Sequence, residues 1–155
     1  MTLVPHELVR LVEDIAARPE LWAYHADPAA TERTYAALRR DADVDLWAIF
    51  WLPENDTGWH DHDTSSGAVH VVDGELEEHA LLLGAPERRR VHRAGATFAF
   101  GPSHIHRLTC AGARAVSIHA YSPPLWRLGQ YSVDAEHVLH RLSVSYADEL
   151  RPLTL

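Results

Sequence analysis

The stretch from Gly58 to His79, GWHDHDTSSGAVHVVDGELEEH, carries most of what can be read about this chain. It opens with two histidines one residue apart, His60 and His62, and runs on through alternating apolar and polar residues to Asp73-Gly74. In an extended strand side chains alternate with period two, so His60 and His62 share one face and two imidazoles can reach one metal ion. The same spacing also suits two half-exposed histidines on a wetted strand, and the pair alone does not choose. Asp73-Gly74 between alternating runs reads as a tight hairpin.

Outward from this stretch the texture is that of many short strands. DLWAIFWL, AVHVVDGELEEHALLL, RRVHRAGATFAF, HIHRLTC and ARAVSIHAYS are separated by turn residues in PENDTG, GAPE, GPS and AGA. Short strands with such breaks point to an all-β sandwich or small barrel. Upstream, Val4, Leu8, Leu11, Val12 and Ile15 recur at helical spacing with Pro5 in a first turn. A second helix is expected in DPAATERTYAALRRD, with Asp27 as N-cap, Pro28 at its first position, and Tyr35 and Leu38 facing inward. The organisation expected is one domain over 1–155: a helical segment at 1–41, barrel motifs at 42–125, and a completing segment at 126–155. In that last segment a strand followed by a helical turn fits YSVDAEHVLHRLSVSYADEL.

The chain of 155 residues has 14 Lys+Arg against 22 Asp+Glu, a net charge of −8, which argues against nucleic acid or an anionic membrane as partner. Its single cysteine, Cys110, cannot form an internal disulfide, so a reducing cytoplasm is the expected location. MTLVPHELVRLVEDIAARP has charges throughout its apolar pattern and does not read as a secretory signal. A monomer or small homo-oligomer is expected.

Twelve histidines are the compositional oddity. A second pair, His104 and His106, follows a Gly-Pro turn in GATFAFGPSHIHR. The two motifs together resemble the cupins, small β-barrels with two histidine-bearing motifs. His60, His62 and Gly74 match the first; Gly95 and His106, eleven residues apart, match the second. The resemblance selects His106 as third ligand, with His104 the alternative if the loop register differs by two. No glutamate follows in DTSSG, so three neutral imidazoles are expected to hold the ion without a carboxylate. Imidazoles alone do not name the metal.

Ser117, His119 and Tyr121 lie at i, i+2 and i+4 in AVSIHAYSPP and so share one strand face. Read by spacing only, they could be a structural hydrogen-bonded ladder. With HR at 106–107 and Trp-x-Pro at 51–53, however, the chain resembles the cysteine dioxygenase (thiol dioxygenase) family over roughly residues 30 to 125. That resemblance implies a mainly β cupin barrel (jelly roll) with two N-terminal helices and Fe(II) on His60, His62 and His106. It also implies a Ser117–His119–Tyr121 relay, O2 and a small thiol as substrates, and a cis bond at Ser122-Pro123. Mammalian members carry a cysteine that cross-links to the relay tyrosine; the ungapped register places Gly67 there. Cysteine-selective members use an upstream arginine as carboxylate clamp, here Arg33, with Arg39 next.

L-cysteine to cysteine sulfinate is the reaction implied first. Runner-up substrates are 3-mercaptopropionate and mercaptosuccinate. From other classes, a metal-dependent cupin isomerase or lyase, or a non-catalytic ligand-sensing cupin, would also account for the histidine triad. Neither gives a reason for Ser-x-His-x-Tyr. Cys110 reads as an inert core residue, and His70, His79 and His92 as ordinary polar residues, the last in a solvated charge run.

Overall fold

The computed structural model describes residues 1–145. Helix α1, Pro5–Ala16, starts at a proline in its first turn, and the Glu7 carboxylate accepts the Val4 backbone N–H at 2.9 Å. Leu8, Val12 and Ile15 form its buried stripe. The described strands are β1 Thr34–Arg40, β2 Asp45–Trp51, β3 His60–Asp61, β4 Ser66–Asp73, β5 Glu75–Ala80, β6 Arg88–Arg93, β7 Thr97–Phe100, β8 His106–Thr109, β9 Ala115–Ser122, β10 Arg127–Val133 and β11 Leu139–Ser145. They form two antiparallel sheets, β1-β2-β9-β4-β7 and β11-β10-β3-β8-β5-β6. The fold is therefore mainly β, as expected.

Period two then decides which side chains face the interior between the sheets. On the outer side of the five-stranded sheet, Leu46, Ala48, Ala68, Ile118 and Ala120 pack under the stripe of α1. Because Ile118 and Ala120 are committed to the helix, their neighbours Ser117, His119 and Tyr121 turn inward. Trp47 and Trp51 do the same on β2, in separate apolar clusters. Cys110 is buried in the Trp51 cluster, where burial pushes its thiol pKa up.

Two expectations fail. The second helix does not exist: after single 3-10 turns at Pro19–Leu21 and Ala23–His25, residues 34–40 form the edge strand β1. The cap signal makes a turn instead, with Asp27 Oδ1 accepting from the Ala29 N–H at 2.9 Å and its carbonyl from Ala30 at 3.1 Å. Thr34, Ala36 and Leu38 are half-buried and alternate with exposed Tyr35, Ala37 and Arg39, so pairing with β2 overrides the helical preference of alanine and leucine. Asp73-Gly74 is likewise no hairpin, since β4 and β5 belong to different sheets. It is the corner between them. Gly74 sits at φ +72°, and a Cβ there would lie 2.4 Å from the Arg114 carbonyl oxygen.

In the final segment the expected strand is followed not by a helical turn but by a second strand, giving a β10–β11 hairpin; the rest of that stretch, 146–150, lies outside the described residues. No helix among the described residues is long and apolar enough to cross a membrane.

The hairpin is tied to the short strand β3 through Asp61, the residue between the two histidines. Its carboxylate accepts from the Tyr131 hydroxyl at 2.6 Å, from Arg141 Nε and Nη2 at 2.8 and 3.0 Å, and from the Gly129 N–H at 3.1 Å. A Cβ on Gly129 would lie 2.3 Å from Arg141 Nε, so glycine leaves the guanidinium its path. Burial works to raise the Asp61 pKa, but the Arg141 and Tyr131 bonds outweigh it and hold the group at about 2. Replacing Asp61 with asparagine should cost about 2 kcal/mol, since Arg141 remains partly solvated. That corresponds to a Tm lower by roughly 4–8 °C in thermal melts. An unchanged Tm would mean the network contributes nothing net.

Candidate metal centre

His60 stands directly opposite His106 across the β3–β8 pair, and His62 follows on the same side as His60. One ring nitrogen from each of His60, His62 and His106 lies within 4.8 Å of the others. Ring centroids are 4.8 Å apart for His60–His62, 4.7 Å for His60–His106 and 5.1 Å for His62–His106. All three rings are almost fully buried.

Bonds on the far sides of His60 and His106 fix the tautomers of those two. His60 Nδ1–H donates to the Gly58 carbonyl at 3.0 Å, which leaves the Nε2 lone pair free. His106 Nδ1–H donates to Glu78 Oε2 at 2.8 Å, and its Nε2 is buried without a partner. His62 is stacked between Phe100 (4.6 Å, 28°) and Tyr121 (5.2 Å, 24°), and its Nδ1 is likewise buried and unpartnered. Burial first, and mutual repulsion second, drive the His60 and His62 pKa values well below the ordinary range. His106 is also lowered by burial, with Glu78 opposing. Neutral imidazoles with orphaned buried nitrogens are a costly arrangement in a dry interior, and a divalent transition metal would satisfy it. The donor set therefore fits a metal ion.

Beside the triad, Ser117, His119 and Tyr121 are linked in one chain. Ser117 Oγ is 2.7 Å from His119 Nε2, and His119 Nδ1 is 3.0 Å from the Tyr121 hydroxyl. The Trp51 indole N–H, which can only donate, bonds Ser117 Oγ at 2.8 Å. This sets the polarity. Were Ser117 also to accept from His119, its own proton would be buried without an acceptor. The serine hydroxyl instead donates to His119 Nε2, and His119 Nδ1–H donates to the tyrosine oxygen. The Tyr121 O–H is then left to donate into the interior. Burial, then repulsion from His106 and Arg33, lowers the His119 pKa to about 3; burial raises that of Tyr121. Both groups are neutral at pH 7.

Arg33 lies just before β1 with its guanidinium 5.1 Å from the Trp51 ring centroid. Its charge helps to lower the pKa values of His60 and His119 and opposes the rise of that of Tyr121. Arg39 points elsewhere and pairs with Asp41 at 2.6 Å on the surface. Gly67 lies against the relay: a Cβ there would be 3.1 Å from Tyr121 Cδ1 and 2.4 Å from Phe100 Cε2. The Ser122-Pro123 bond is cis.

Sequence reasoning overlooked Glu78, and with it the place of His92 and His104. Glu78 is 3% exposed, and its carboxylate faces His92, His104 and His106. His92 is buried rather than solvated, stacked on Phe98 at 3.9 Å. The signal was available: Leu76, Glu78 and Ala80 share one face of β5, and an acid between apolar residues at period two is a buried acid. His70 and His79 are ordinary polar residues, bonded to Thr97 and to Glu77 and Glu87.

Comparison with solved structures gives the same fold at low identity. A cupin superfamily protein from Desulfitobacterium hafniense DCB-2 matches with TM-score 0.57 and 10% identity, over 68% of this chain and 90% of that one. An uncharacterized conserved protein with a double-stranded β-helix domain from Klebsiella pneumoniae subsp. pneumoniae MGH 78578 matches with TM-score 0.55 and 15% identity, over 77% and 91%. No curated protein sequence matches significantly. The family model for cysteine dioxygenase type I matches residues 3–134, a span that holds the triad, the relay, Arg33 and Glu78. The chain is a cupin and belongs to the cysteine dioxygenase type I family.

Proposed function

We propose that the protein is an Fe(II)-dependent thiol dioxygenase that converts a small thiol carboxylate, L-cysteine first, to its sulfinic acid. The observation that carries this reading is the conjunction in one interior of a neutral histidine triad and a polarised Ser117–His119–Tyr121 chain, the Tyr121 ring 5.2 Å from that of His62. Overall, RSH and O2 give RSO2H: sulfur loses four electrons, O2 gains them, and no external reductant enters. His60, His62 and His106 would hold the iron, which when bound supplies the one-electron chemistry that lets O2 react with a thiol.

The other residues bind and orient. Arg33 offers a guanidinium for the substrate carboxylate, a pairing suited to its planar fork. The Tyr121 O–H, its direction fixed from Trp51 through Ser117 and His119, donates to a substrate oxygen rather than accepting from it. In the metal-free protein burial keeps the phenol protonated. Phe100 and Trp51 are buried walls of the interior. A thiolate with a carboxylate is a suitable ligand for such a site because three neutral imidazoles and one guanidinium supply no negative charge of their own.

The test is oxygen uptake by the Fe(II)-loaded protein with L-cysteine, 3-mercaptopropionate, mercaptosuccinate and cysteamine, with sulfinate quantified in the same samples. One sulfinate per O2 for one thiol is the expected result. Iron binding with no uptake for any thiol would overturn the reading and leave an isomerase or lyase as the better one. Arg33→Ala should raise KM for the carboxylate substrate roughly ten- to hundred-fold with a smaller change in kcat, the effect of losing a hydrogen bond to a charged group. An unchanged KM would remove Arg33 from the site.

A further inference from the structure

We propose that Glu78 is the positioning carboxylate of the metal centre: it acts through His106, and His92 and His104 serve to aim it. This rests on the reading of His106 as a metal ligand and extends it to groups that spacing alone never brought together. Glu78 lies on β5, one strand from His106 on β8, with Leu76 and Ala80 flanking it on the same buried face. Its Oε2 accepts from His106 Nδ1 at 2.8 Å and is 3.2 Å from His104 Nε2, while Oε1 is 3.2 Å from His92 Nε2. The donors come from β6, from β8 and from the loop before β8, so their convergence on one carboxylate is a product of the tertiary fold. The His92 ring is held by Phe98 at 3.9 Å and the His104 ring by Phe100 at 5.3 Å, both nearly parallel.

A buried carboxylate needs its charge offset. A divalent ion on the opposite nitrogen of His106 would supply that offset across the ring. The arrangement then matches the carboxylate–histidine–metal series that fixes a ligand's tautomer and raises its basicity. It also revises the charge of the centre: three neutral imidazoles, a +2 ion and one carboxylate sum to +1. The negative charge absent from the ligand set is present one hydrogen bond away. Such a charge favours the oxidised metal, so its loss should raise the Fe(III)/Fe(II) potential.

The competing arrangement is a metal held directly by Glu78, His104 and His106, whose ligand atoms also lie within 4.8 Å of one another. Titration of the metal-stripped full chain with Co(II), followed by the cobalt absorption band, separates the two. In the proposed role, Glu78→Gln keeps one site with an altered band and weakens it roughly 10–100-fold. Its iron potential rises, and His104→Ala stays within a few-fold of wild type. Binding and potential unchanged in Glu78→Gln would overturn the role. Loss of the site in both Glu78→Gln and His104→Ala would assign the metal to the competing trio. Wild-type protein that takes up no Co(II) would overturn the centre itself, and with it this role. Thermal melts of the metal-free variants identify misfolding, and Glu78→Asp, which keeps the charge, should then restore part of the affinity.

Discussion

His106→Ala should abolish metal uptake, whereas His104→Ala should leave it within a few-fold of wild type. Both histidines lie in the same short stretch, two residues apart, and both contact Glu78. What separates them is the second ring nitrogen. His106 turns Nδ1 to Glu78 and leaves a buried Nε2 without a partner, facing His60 and His62. His104 spends its Nε2 on Glu78 and is partly exposed. Removing His106 therefore takes away one of the three proposed metal donors and leaves Glu78 short of its shortest bond. The loss in affinity should exceed the roughly 100-fold that marks the upper end for a residue acting only through a ligand. Metal content after equilibration with Fe(II) or Zn(II), alongside melts of the metal-free proteins, measures it. An exchange of the two phenotypes would move the ligand set by one strand repeat and sink the triad as assigned.

The contrast between these two histidines also shows what could be read without coordinates. The triad and the relay were legible because each depends on period two within a strand, and 60/62 and 117/119/121 carry that period openly. The choice of His106 over His104 needed the resemblance, since both positions satisfy alternation equally. Tertiary contacts lay further off. Glu78 meets its histidines across β5, β6 and β8, and no local spacing links residue 78 to residues 92, 104 and 106. Even there the acid at an inward position of β5 was a sign. The misread second helix has the opposite cause. TYAALRR has the residues of a helix and, more faintly, the alternation of a strand, and only the neighbouring β2 backbone decides between them. Asp73-Gly74 carries the chemistry of a turn, but a left-handed glycine serves a corner between two sheets as well as a hairpin.

In the absence of metal the protein should lose stability steeply as pH falls below about 6.5. His60, His62, His106 and His119 are all buried, and burial is the first cause of the lowered pKa of each. In the unfolded chain each returns to an ordinary value near 6.5. The sign follows: below that value the unfolded state binds more protons than the folded one, so the free energy of unfolding falls with pH. The stabilisation is complete well above pH 6.5 and is lost through the window between the unfolded and folded values. For one such group the loss at pH 5.5, relative to pH 8, is on the order of 1 kcal/mol. His106 contributes least, because Glu78 pulls its pKa back up, and the four together give on the order of a few kcal/mol, a large share of the 5–15 kcal/mol typical of a domain. Asp61 does not confuse the result: its pKa is depressed to about 2, so its contribution is intact above pH 4 and fades only as pH drops through that value. Bound metal opposes the effect, since it holds the imidazoles unprotonated until protons displace it. Melts in the presence of a chelator should therefore show a Tm that falls from pH 7 to 5.5, and the metal-loaded protein a smaller fall over the same range. A flat metal-free profile would mean that these imidazoles take up protons within the fold, which would require an interior open to water rather than the dry one that a triad of neutral ligands needs.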